Sequence, residues 1–107
     1  MHICEFQEMM KQLYIESDKK RGVEDTFKWL SDELQELKEA LNVNDKQALE
    51  KEFADVIAWL ASLANITNVD LEKAALEKYN HECPKCHQAP CTCEFIKIKP
   101  NESDQHP

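Results

Sequence analysis

The chain has one glycine and four prolines in 107 residues. That is too few turn-formers for a fold of many tight hairpins, and the long stretches of Glu, Lys, Ala and Leu favour helices. No apolar run is long enough to cross a bilayer. The longest, Phe53–Ala64, is interrupted by Asp55 and Ser62 and falls short of the roughly 20 residues a spanning helix needs. The opening MHICEFQEMMKQ lacks a basic stretch ahead of an apolar core, so no secretory signal is expected and the location reads as cytoplasmic. Positive charge is scarce as well: 13 Lys and Arg against 21 Asp and Glu give a formal net charge of −8. Coating nucleic acid requires clustered cations, so neither nucleic acid nor membrane is expected as a partner. A nucleotide substrate stays open, because a divalent cation can carry the positive charge instead.

What remains is an all-α chain, with 42% hydrophobic and 32% charged residues, suited to an antiparallel amphipathic bundle of about four helices. A first helix is expected from Ile3 to Lys20, with Ile3, Phe6, Met10, Leu13 and Ser17 along one stripe and Gly22 as its stop. A second starts near Asp25 or Thr26 as N-cap and carries Phe27, Leu30, Leu34, Leu37 and Leu41. The short loop Asn42–Asp45 makes the third helix its antiparallel neighbour, with Leu49, Phe53, Val56, Leu60 and Leu63. A shorter fourth helix is capped by Asp70 and runs through Leu71, Ala74, Ala75 and Tyr79. Three regions follow: a helical domain over 1–80, a cysteine-bearing tail over 81–99, and a polar terminus over 100–107 expected to fray.

Four acids stand apart from the leucine stripes. Glu33 and Glu36 share one helix face by their i, i+3 spacing, and so do Glu52 and Asp55. Around the second helix the sequence reads Trp29, Glu33, Glu36, Ala40; around the third it reads Ala48, Glu52, Asp55, Trp59. The second order is the first reversed, so antiparallel pairing brings the acids level, with both tryptophans at one end. Most ExxE pairs are solvated surface, and Asp32 and Glu39 fit that description. Asp55, however, lies within an apolar run, where a bare carboxylate is costly unless neutralised or bound to a cation. A hard metal ion held by several carboxylates is the leading explanation. Trp29 and Trp59 have two readings, packing in a core or interface and bordering a nucleobase.

Over residues 22–80 the chain resembles the MazG-like all-α nucleoside triphosphate pyrophosphohydrolases. The likeness is carried by TFKWLSDELQELKEAL and by EKEFADVIAWLASLANITNVDLEKAALEKY, with ExxE, a spacer of fifteen residues, and ExxD. It implies Mg²⁺ on Glu33, Glu36, Glu52 and Asp55, and hydrolysis of a nucleoside triphosphate to the monophosphate and pyrophosphate. Glu33 and Glu36 are the candidates for taking the attacking water's proton. Lys78 and Asn80 are the candidates for substrate contacts after the fourth helix. A homodimer or a dimer of dimers is also implied. Gln35 departs from the glycine that many members have there.

Cys83-Pro-Lys-Cys86 and Cys91-Thr-Cys93 place four thiols within eleven residues. One structural Zn²⁺ in a closed tetrahedral knuckle is favoured over two disulfides or free thiols, with His81 and His87 as substitute ligands. Cys4 reads as a small buried residue. A non-catalytic, zinc-containing helical module that docks a protein or nucleic acid is the opposing function class.

Overall fold

A computed structural model describes residues 1–94. Residues 95–107, which include the end of the expected tail and the terminus expected to fray, lie outside the described residues. The described residues are all helical in their regular structure: α1 (Ile3–Leu41), α2 (Lys46–Ile66) and α3 (Leu71–Lys78). None of these helices is long and apolar enough to cross a membrane. The chain divides into two compact units, Met1–Ala74 and Ala75–Pro107.

Three elements stand where four helices were expected because the first two are joined as one across a kink at Gly22, where the first was expected to stop. Helical structure runs from Ile3 to Leu41, while Gly22 alone adopts φ 86°, ψ 171°. Asp25 and Thr26 therefore lie inside α1, and neither is the N-cap expected of them. Thr26 is instead fully buried, and its hydroxyl accepts a 3.4 Å hydrogen bond from Arg21. The same guanidinium nitrogen lies 2.8 Å from Asp18 Oδ1. One arginine thus links the turn before the kink to the turn after it, which fixes the bend.

The other boundaries follow local chemistry. Asp45 caps α2 by accepting from the N–H groups of Gln47 and Ala48, at 3.0 and 3.3 Å. Asp70 does the same for α3 through Lys73 N–H at 3.1 Å, satisfying donors that have no helical partner. The loop 42–45 is as short as its sequence implies, and α1 packs on α2. Gln7 ties the N-terminal half of α1 to the end of α2. Its amide donates to Asn65 Oδ1 and to Val69 O, and its oxygen accepts from Leu71 N–H.

The core of the first unit is small: Met10, Leu30, Ala40, Ala61 and Ala64 are its buried apolar residues. Much of the expected leucine stripe faces outward instead. Phe27, Leu34 and Leu41 on α1 and Phe53 and Leu60 on α2 are all exposed, as is Ile57 beside them. Leu13 and Ile3 are exposed too, so the first stripe buries Met10 alone. Helical periodicity groups residues on a face; whether that face is covered depends on how many neighbours a lone chain supplies. Cys4, expected to be buried, is exposed on the first turn of α1, where its backbone N–H donates to Glu72.

The kink yields a first prediction. A Cβ at position 22 meets no atom within 4 Å, so substitution there acts through backbone angle alone. Gly22→Ala should destabilise the protein by about 1–3 kcal/mol, the usual cost of holding a non-glycine residue in a disfavoured region. Urea denaturation checks it; an unchanged midpoint would mean that the bend is not maintained in solution.

Candidate active site and cysteine cluster

The acids come together where the C-terminal half of α1 lies along α2. One carboxylate oxygen from each of Glu33, Glu36 and Glu52 falls within 4.8 Å of the others. Oε2 of Glu33 and Oε2 of Glu52 are buried and have no hydrogen-bond partner among the described residues. Converging, unpartnered hard oxygens form a donor set that fits a divalent cation such as Mg²⁺. Asp55 stands beside this group without joining it. Its charge is felt by both Glu33 and Glu52, and its side chain is half-buried and lines an adjoining cavity. The apolar run around Asp55 is also less enclosed than its sequence suggests, since Phe53, Ile57 and Leu60 face outward.

Proximity changes the acidity of these groups. Burial, then a hydrogen bond with Glu36 and the surrounding negative charges, raises Glu33 to about 7. Glu52 is also raised, first by burial and then by Glu36. Glu33 is thus an acid whose proton occupancy changes near neutrality, as a group that accepts a proton from water requires.

The tryptophans sit at one end of the cluster, as the reversed stripes imply, and they face each other. Trp29 and Trp59 stack with ring centroids 5.7 Å apart and planes 9° from parallel. Arg21 lies over the Trp59 ring, 4.7 Å from its centroid. At the other end Ala40 is buried and Ala48 half-buried. Next to Trp59 opens a cavity of about 290 Å³, whose lining includes Met10, Asp18, Arg21, Asp55, Trp59 and Ser62. Asp18 and Arg21 were missed as site residues in the sequence. Their only signal is an i, i+3 acid–base pair immediately before the single glycine.

Lys78 and Asn80 fall in the second unit. The Lys78 ammonium lies 5.7 Å from the centroid of the adjacent Tyr79 ring, and Asn80 follows the end of α3.

The cysteine cluster also belongs to that unit. One sulfur atom from each of Cys83, Cys86, Cys91 and Cys93 lies within 4.8 Å of the others. Cys83 and Cys93 are 3.9 Å apart and Cys86 and Cys91 3.8 Å, so no pair is a disulfide. Tetrahedral ligands at about 2.3 Å from zinc would be separated by roughly the same distance. Backbone amides point at the sulfurs: Lys85 N–H at Cys83, Thr92 N–H at Cys86 and Cys93 N–H at Cys91. The Thr92 amide is the main cause of a Cys86 thiol lowered to about 5, while the Cys91 sulfur pushes Cys93 up to about 12. His87 bonds Glu82 at 2.8 Å, and neither His87 nor His81 joins the four sulfurs.

A family model described as the MazG nucleotide pyrophosphohydrolase domain matches residues 21–87. No curated protein matches the chain.

Glu33 gives a prediction with a defined sign. Its folded pKa lies above the ordinary carboxylate value, so the folded state holds the extra proton between about 4.5 and about 7. In the metal-free protein this group's contribution to stability is therefore lost as pH rises through that window. Glu33→Gln removes the titration, so with chelator present it should exceed the wild type in stability at pH 8 and lose that advantage toward pH 4. Thermal melts across this range check it; a wild type that gains on the variant as pH rises would contradict it.

Proposed function

This chain belongs to the MazG nucleotide pyrophosphohydrolase family, and on that premise we propose that it hydrolyses a nucleoside triphosphate, ribo or deoxyribo, to the monophosphate and pyrophosphate. The convergence of Glu33, Glu36 and Glu52, with two buried oxygens unpartnered, carries this reading. These three acids, joined by Asp55, would hold Mg²⁺. When bound, that ion offsets the charge of the triphosphate and polarises the attacking water. Glu33 or Glu36, with an oxygen left free of the ion, would take the water's proton. Trp59 and the cavity beside it would take the base, and Trp29 backs Trp59 by stacking on it. Lys78 and Asn80, implied as substrate contacts by resemblance, carry no part of this reading.

A second copy of the chain completes the proposal. Eleven large apolar side chains of α1 and α2 are exposed, Phe27, Leu34, Leu41, Phe53, Ile57 and Leu60 among them, more than scattered surface residues would account for. A homodimer, or a dimer of dimers, would cover them.

The cysteine cluster would hold one Zn²⁺ in a structural role. Four sulfur ligands close the coordination shell, leaving no open position for substrate.

The reaction should appear as Mg²⁺-dependent release of pyrophosphate from at least one triphosphate. Asp55→Asn should lower kcat/KM by more than the roughly 10–100-fold typical of groups acting from outside the coordination shell, with helicity by circular dichroism unchanged. Products consisting of diphosphate and orthophosphate would defeat the reading. Elemental analysis of protein purified under reducing conditions should find about one zinc per chain, and Cys86→Ser should lower it while the far-ultraviolet spectrum stays helical. Zinc-free wild type would reassign the four thiols.

A further inference from the structure

A structural zinc uses the four clustered thiols only as ligands, yet their surroundings also bear on their reactivity. Exposure within the cluster is uneven: Cys91 is exposed, Cys86 and Cys93 are half-buried, and Cys83 is buried. One sulfur is therefore open to a small solute in water while the others are partly screened. The close contacts also sort the sulfurs into pairs, Cys86 with Cys91 at 3.8 Å and Cys83 with Cys93 at 3.9 Å. Each pair joins one half of the motif to the other, and the inner pair is nested within the outer in sequence. The turn between the halves does not depend on the sulfurs. Cys83 N–H bonds Gln88 O at 3.0 Å, and His87 N–H bonds Cys83 O at 2.8 Å. The fifth cysteine has the opposite setting. Cys4 is exposed, but a hydrogen bond with Glu72 and the neighbouring Glu5 and Asp70 hold its thiol above the ordinary value, which keeps it protonated and a weak nucleophile.

We propose that the cluster is a site of reversible oxidation by peroxide, at which Cys91 reacts first and closes a disulfide with Cys86, followed by Cys83 with Cys93. The starting form rests on the zinc assignment above, whereas the pairing depends on the sulfur positions alone. With zinc bound all four sulfurs are thiolates, so access decides which one meets the oxidant. The Cys91 sulfur attacks one peroxide oxygen; an S–O bond forms, the O–O bond breaks, and hydroxide leaves. The Cys86 thiolate then attacks the Cys91 sulfur; the S–S bond forms, the S–O bond breaks, and a second hydroxide leaves. Two protons from solvent turn both hydroxides into water, and two electrons pass from the sulfur pair to the peroxide. A second peroxide converts Cys83 and Cys93 by the same steps. Disulfide sulfurs have lost the negative charge that binds metal, so oxidation exchanges one metal crosslink for two covalent ones. The backbone bonds of the turn keep the sulfurs near one another throughout, and a thiol reductant with zinc restores the first state.

The test uses the full-length protein, reduced and loaded with zinc, and treated with one and then two equivalents of hydrogen peroxide. A chromogenic chelator reads zinc release, and peptide mass spectrometry without reduction reads the pairing. The first equivalent should give mainly Cys86–Cys91 and the second Cys83–Cys93, with zinc released in step and Cys4 still reduced. Dithiothreitol should then return the thiols and the capacity for zinc. Limited alkylation of the zinc-loaded protein should mark Cys91 ahead of the other three cluster sulfurs. If the protein binds no zinc, the zinc assignment fails, while the pairing and the lag of Cys4 still decide this proposal. Oxidation of Cys4 ahead of the cluster, a first disulfide between Cys83 and Cys86, crosslinks mainly between chains, or sulfinic acid in place of disulfide would overturn it.

Discussion

Repulsion among Glu33, Glu36 and Glu52 is imposed by the packing of α1 on α2. The tryptophan pair at one end of the seam and the alanines at the other hold the helices in a register that brings the acids level. Within 4.8 Å, three carboxylates cannot all remain ionised cheaply. The fold accommodates this by raising the proton affinity of Glu33 and Glu52, and a divalent cation would accommodate it by coordination. Either way, stability is traded for a site that favours bound positive charge. The same seam uses small residues where the helices meet, so the core of the first unit is thin and its large apolar side chains are left facing outward. A metal and a second copy of the chain would thus be complementary completions of one architecture, the first relieving charge and the second covering apolar surface.

How far this could be read in the sequence depends on the range of each interaction. The reversed order of Trp29-Glu33-Glu36-Ala40 and Ala48-Glu52-Asp55-Trp59 was legible because two periodic helices and a loop of a few residues leave little freedom in register. The caps at Asp45 and Asp70 are local and were equally legible. The interruption at Gly22 was legible as well, since its backbone leaves the helical region there, whereas the Arg21 contacts that span it were not. Exposure of Phe27, Leu34, Leu41, Phe53 and Leu60 was hidden for a different reason, since periodicity assigns a face but not its neighbour. Cys4 shows the same limit on a smaller scale: a small apolar residue near a chain end need not find a core.

The two candidate metal sites differ in the same way. The sulfurs of Cys83, Cys86, Cys91 and Cys93 are gathered by local turns, with Cys83 N–H bonded to Gln88 O and His87 N–H to Cys83 O. Spacing alone therefore signals the cluster, and the amides aimed at the sulfurs favour their ionised forms. The acids are gathered by tertiary packing, and any displacement of α1 along α2 would disperse them. Asp55 shows this sensitivity. It is one helical turn from Glu52 and on the same stripe, yet it lines the cavity and stays outside the tightest group.

Arg21 connects the fold to the cavity beside the acids. Its guanidinium spans Asp18, Thr26 and the face of Trp59, so the group that fixes the bend also fixes one wall of the cavity. An arginine held by a bent helix on two sides is a poor candidate for moving onto a phosphate, because leaving would unpair a buried carboxylate and a buried hydroxyl together. Its positive charge is instead spent on keeping Asp18 in place. The isolated glycine is what lets α1 turn sharply enough for both halves to reach α2, and Asp18, Arg21, Trp59 and Asp55 meet where they do because of it. A single backbone angle at Gly22 therefore joins the acids that would handle the phosphates to the residues that would read the base.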